Sequence, residues 1–110
     1  MSTALRVMPT EAQFQRTVTD LATTLGWKWL HVERMGNRMG QWRTPATGPL
    51  GKGWPDLILV RGREMIAIEL KAEGKYLTPA QKDMAVILQD VMPFYVFRPG
   101  DWIQIVKALT

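Results

Sequence analysis

Three charged residues stand where two strands should be apolar. "PDLILVRGREMIAIELK", residues 55–71, reads as a pair of apolar strands around a tight turn. Asp56 opens the first strand, and Glu69 and Lys71 close the second. A two-residue turn at Gly62 and Arg63 pairs Arg61 with Glu64, and Gly62 suits the first central position of a type II′ turn. Counting outward along both strands then pairs Asp56 with Glu69. Directly opposed side chains share a face, with Cβ atoms roughly 4.5–5.5 Å apart. Side chains alternate along a strand, so Glu69 and Lys71 share a face too. The expectation is one cluster of Asp56, Glu69 and Lys71. Leu57, Leu59, Ile66, Ile68 and Leu70 would pack the opposite face.

Two carboxylates at that separation repel unless a hard cation lies between them. All-oxygen sites of this kind suit Mg²⁺ or Mn²⁺, which keep waters for a substrate phosphate. A neighbouring lysine can orient an attacking water and stabilise charge building on a phosphoryl group. Together these groups make a phosphodiester hydrolase site. Glu-x-Lys alone carries little weight, since composition gives about 0.3 occurrences by chance. Such a pair at a strand end can also be a surface ion pair worth little. Three features add weight: Pro-Asp before a continuous apolar strand, the register argument, and a basic segment running into Asp56.

That segment is "ERMGNRMGQWRTPATGPLGKG", residues 33–53, with five glycines and two prolines. Arg34, Arg38, Arg43 and Lys52 lie in it against one acid, Glu33. Loops this long are uncommon in small domains and are often functional or disordered. The plainer reading is a solvated loop. The functional one is a set of phosphate contacts, with Trp42 among the basic residues.

The elements that must hold these groups follow from periodicity. Residues 10–25 read as a helix with Thr10 and Gln13 at capping-box spacing and Gly26 at its end. Its apolar stripe is Phe14, Val18, Leu21, Ala22 and Leu25. Residues 27–32, "WKWLHV", read as a strand. Residues 78–91 form a second helix, with Thr78 and Gln81 as another capping box and Pro79 in the first turn. Ala80, Met84, Ile87, Leu88 and Val91 make its apolar face. Residues 94–97, "FYVF", are a strand. Residues 101–109 are a last helix capped by Asp101, with Trp102, Ile105, Val106 and Leu109 inward. The tryptophans are mostly core, with Trp42 and Trp54 the better candidates for nucleic-acid or interface contacts. The order is α-β-β-β-α-β-α, an α/β fold with a mixed sheet in one domain over residues 1–110.

Composition excludes several classes. The chain has 110 residues, no cysteine and one histidine, His31. A disulfide framework, a thiolate site and a multi-histidine zinc cluster are excluded within it. His31 itself reads as an ordinary strand residue. No run of about 18 apolar residues occurs, and "MSTALRVMPTE" lacks signal-peptide features, so a soluble cytoplasmic protein is expected. The net charge is +4, which favours polyanionic partners, nucleic acid first among them.

"GWPDLILV" followed by "IAIELK" resembles the PD-(D/E)xK nuclease signature. The wider pattern is similar to the VRR-NUC family in its short, stand-alone phage and prophage form. "TEAQFQRTVTDLATTLGW" resembles the family's first helix, "LTPAQ" the start of its second, and "YVFRPGDW" its C-terminal strand and helix. The likeness covers nearly the whole chain except the basic segment. It implies a restriction-endonuclease-like αβββαβ core with a mixed central sheet flanked by helices. It implies Asp56 and Glu69 as metal ligands, the Leu70 carbonyl as a third contact, and Lys71 as the residue positioning the attacking water. Glu11 would be an additional acid near the metal; equally, it is a first-turn helix acid favoured by the dipole. Gln81 would approach the scissile phosphate, though its amide is also claimed by the capping box. Lys75, in the loop after Lys71 with Tyr76, joins the candidate DNA contacts; both also read as solvated loop residues.

The expected protein is a Mg²⁺- or Mn²⁺-dependent DNA endonuclease, structure-specific for branched DNA such as four-way junctions. It would be a homodimer in the cytoplasm of a bacterium or phage-infected cell. One rival is a nucleic-acid-binding accessory module that keeps the fold without cutting. Another is an interaction domain whose basic loop binds an acidic protein.

Overall fold

The computed structural model describes residues 8–32, 35–36, 42–43 and 47–110, with only the backbone of 35–36 and 42–43. It is mixed α/β, in the order α1 (Glu11–Thr24), β1 (Lys28–His31), β2 (Met35–Gly36), β3 (Trp42–Arg43), β4 (Leu57–Arg61), β5 (Glu64–Leu70), α2 (Pro79–Gln89), β6 (Phe94–Phe97) and α3 (Trp102–Leu109). Four strands form one sheet in the order β1-β4-β5-β6. The first two pairings are antiparallel, and β6 joins β5 in parallel after the α2 crossover. The strands β2 and β3 pair separately, so the basic segment holds a short ladder that its irregular sequence did not announce.

The central hairpin has the expected register. Arg61 faces Glu64, and the ladder runs outward to Leu57 facing Ile68. Gly62 has φ +59 and Arg63 does not have positive φ, the combination a type II′ turn requires. The hairpin then divides its side chains between two cores. Leu57, Leu59, Ile66 and Ile68 pack with Phe14, Val18 and Ala22 of α1 and Ile105 and Leu109 of α3. Ile58 and Ala67 point the other way, against Met84 and Leu88 of α2. Each fully buried aliphatic contributes roughly 1.5–3 kcal/mol, so the α1/α3 face carries most of the apolar burial.

Both capping boxes form. Thr10 and Gln13 exchange hydrogen bonds at the start of α1, and Thr78 and Gln81 do so at the start of α2. Gly26 ends α1 with φ +87.

The helix faces depart from expectation in the last two helices. On α2 the buried stripe is Gln81, Met84 and Leu88, while Ile87 and Val91 are 51% and 73% exposed. The sheet offers α2 only Ile58, Ala67 and Phe94 among the described residues, so a narrow seam suffices. On α3 only Ile105 and Leu109 are buried, and Trp102 and Val106 are exposed. Asp101 holds the N-cap position of α3 as expected, but its side chain makes no capping bond to that helix; its carboxylate accepts the Arg98 N–H at 2.8 Å, closing a 3₁₀ turn over Pro99–Asp101. Trp27 is core, and Trp54, partly buried, packs against the α2 cluster. Trp29 and Trp102 are exposed. No helix among the described residues is long and apolar enough to cross a membrane.

Candidate functional site

The open end of the hairpin, away from Gly62, borders a cleft of about 450 Å³. Its walls include Glu11, Asp56, Glu69, Leu70, Lys71 and Gln81. These six come from four places in the chain: the first turn of α1, the entry to β4, the end of β5 and the first turn of α2.

Each is held by ordinary local physics. The β4–β5 ladder stops at Leu57 facing Ile68, and one step further sets Asp56 across from Glu69. The Asp56 carbonyl accepts the Val32 N–H at 3.0 Å. Its Oδ2 accepts the Leu70 N–H at 2.8 Å, so the carboxylate is tied to the strand that carries Glu69. Glu69 lies in a central strand with 1% of its surface exposed. A solvated strand-end ion pair therefore does not describe it. The Lys71 N–H donates to the Phe97 carbonyl at 2.9 Å, which extends the parallel pairing one residue past β5. No ion pair among the described residues engages the Lys71 ammonium.

Gln81 divides its amide between two tasks. Its Oε1 accepts the Thr78 N–H at 2.9 Å, completing the capping box and fixing which way the amide faces. Its Nε2 is buried with no hydrogen-bond partner. A buried unpaired donor costs about 1–3 kcal/mol. This one belongs to a residue of the cleft wall.

Gly53 explains how α2 comes to lie there. Its φ is +79, and a Cβ at this position would stand 2.3 Å from the Ala80 carbonyl oxygen and 3.0 Å from the Gln81 nitrogen. Only glycine allows the chain entering Trp54-Pro55-Asp56 to pass directly against the first turn of α2. The approach to Asp56 and the position of Gln81 are thus set by one contact.

The oxygen donors suit a hard divalent cation. Asp56, Glu69 and the Leu70 carbonyl are of the type that Mg²⁺ and Mn²⁺ take, with waters completing the shell. Glu11 is on the rim, solvent-exposed. Among the described residues no three of His, Asp and Glu gather into a metal-binding group. Glu11 nevertheless lines the same cleft as Asp56 and Glu69.

Of the expected DNA contacts, Lys52 and Lys75 are exposed. Arg34 and Arg38 lie outside the described residues, and Arg43 is described only by its backbone in β3. The cleft also contains residues that the sequence did not point to: His31, Gln15 and Pro99. His31 faces Leu57 across the β1–β4 ladder. The long connection between those strands hides that register from any turn-based count.

No protein-family model, curated protein or solved structure matches the chain.

Proposed function

We propose that this protein is a divalent-metal-dependent DNA endonuclease with a restriction-endonuclease-like core of the VRR-NUC type. The observation that carries the reading is the convergence of Asp56, Glu69, Lys71 and Gln81 on one cleft. Asp56 and Glu69, with the Leu70 carbonyl, would hold Mg²⁺ or Mn²⁺. A divalent ion bound there supplies charge to the scissile phosphate and makes a coordinated water more acidic. Lys71 orients the attacking water and offsets charge on the phosphoryl oxygens. The Gln81 Nε2 donates to a phosphate oxygen or to that water, which satisfies an amide group left buried and unpaired among the described residues. The basic segment before Asp56 and the exposed Lys75 contact the DNA backbone.

The proposed substrate is branched DNA, four-way junctions above all. Two cuts across a junction need two such sites, and a C₂ homodimer is the simplest way to supply them.

The test is incubation of purified protein with labelled linear, flapped and four-way DNA, with Mg²⁺ or Mn²⁺ and then with chelator. Metal-dependent products, richest on four-way DNA, are expected. A salt-sensitive mobility shift with no products under any condition would replace the enzyme by a binding module.

A further inference from the structure

The loop that leaves the cleft wall at Lys71 and Ala72 and runs to the Thr78 cap of α2 has its backbone pinned at several points. The Lys75 N–H donates to the Ala72 carbonyl at 3.1 Å, closing a turn through Gly74 at φ +76. Arg98 donates from Nε at 3.0 Å, and also from Nη2, to the Lys75 carbonyl. Glu73 accepts the Gly100 N–H at 2.5 Å. The 98–101 turn therefore clamps the loop from outside. Ala72 and Pro99, one from each side of this clamp, line the cleft.

On this pinned loop Tyr76 is 78% exposed. A single exposed tyrosine is unremarkable. What sets this one apart is its support. The Arg98 guanidinium carbon lies 5.4 Å from the ring centroid, so the group that fixes the loop also backs the ring. Most of the ring remains in water, beside the exposed Lys75. A rigid aromatic surface with a cation behind it and another beside it is how single-stranded nucleic acid is gripped. Bases stack on the ring, and lysine or arginine meets the backbone.

We propose that Tyr76 is a stacking platform for an unpaired DNA base, carried on the loop that follows the cleft residues Lys71 and Ala72. The inference rests on the DNA reading above and deepens it. It gives the chain a way to favour DNA with unstacked bases, as at flaps and branch points, over continuous duplex. It needs no metal, so binding measures it directly.

The experiment is fluorescence anisotropy in chelator with a single-stranded oligonucleotide, a flapped duplex and a blunt duplex. A parallel series carries 2-aminopurine at unpaired positions. Tyr76→Ala should weaken single-stranded and flapped binding roughly 5- to 100-fold and change blunt-duplex binding by less than about twofold. Tyr76→Phe and Tyr76→Trp should retain binding. Wild-type protein should quench 2-aminopurine, and Tyr76→Ala should not. Two results would overturn the platform alone: Tyr76→Ala binding all DNAs like wild type, or losing all of them equally. Wild-type protein that binds none of these DNAs would overturn the DNA reading and the platform with it.

Discussion

The two ends of the β4–β5 hairpin carry charges in opposite ways. At the turn end, Arg61 donates from Nη1 to the Leu25 carbonyl at 3.1 Å and the Leu109 carbonyl at 3.0 Å. Its Nη2 reaches the Thr110 carbonyl and Glu64, and its guanidinium lies 4.3 Å from the Trp27 ring centroid. One cation thus gathers the carbonyl ends of α1 and α3, where a positive charge also complements the helix dipoles. At the open end, Gln81 keeps an unpaired buried Nε2, and no described ion pair occupies Lys71. The turn end is saturated and stabilises the fold. The open end keeps the Gln81 Nε2 donor and the Lys71 ammonium beside the cleft.

Substitutions should separate the two ends. The largest effect belongs to Asp56→Asn and Glu69→Gln, which keep shape and remove charge. Each should lower the single-turnover rate of DNA cleavage by at least about 100-fold. In Asp56→Asn the amide oxygen can still accept the Leu70 N–H, so its unfolding free energy from urea titration should stay within about 0.5 kcal/mol of wild type. A stability loss as large as the rate loss would erase the contrast between the ends.

Arg61→Ala should do the reverse. It leaves the Leu25 carbonyl without its Arg61 donor, while the Leu109 carbonyl keeps the Trp27 Nε1–H at 2.9 Å, and should cost about 1–3 kcal/mol in chemical denaturation. Cleavage by the folded fraction should be unchanged. Gly53→Ala couples the two properties. Its Cβ must push the first turn of α2 and also adopt positive φ, costing about 2–3 kcal/mol. Because that turn carries Gln81, cleavage should fall with stability, and circular dichroism melts beside rate measurements check this.

Gln81→Met gives the smallest change and the sharpest distinction. It removes the unpaired amide from an otherwise apolar stripe and forfeits one capping acceptor. Stability should move by less than about 1 kcal/mol in denaturant titrations. A lowered cleavage rate at near-constant stability would mean that the amide serves the substrate rather than the helix.

The parts legible in the sequence were those fixed over short distances. The two-residue turn set the hairpin register, and with it which residues meet in the core. The spacings Thr10–Gln13 and Thr78–Gln81 announced both helix starts. Asp56, Glu69 and Lys71 could be placed together from that register alone. What the sequence hid depended on distant neighbours. Ile87 and Val91 fit a helical stripe, yet nothing in the sequence states how little of the sheet α2 must cover. His31 reaches the cleft wall through a ladder whose register no short turn dictates. The burial of Gln81 was readable in principle, since it shares the 81–84–88 stripe with Met84 and Leu88. Its double role needed the geometry of the amide.

The most direct measurement compares wild type with Lys71→Ala on four-way DNA at saturating Mn²⁺, under single-turnover conditions, with binding measured alongside. Lys71 has no described ion pair to lose, so the variant should fold and bind DNA as wild type does. The account predicts that its cleavage is abolished while its affinity is kept. Cleavage by Lys71→Ala at the wild-type rate would contradict it.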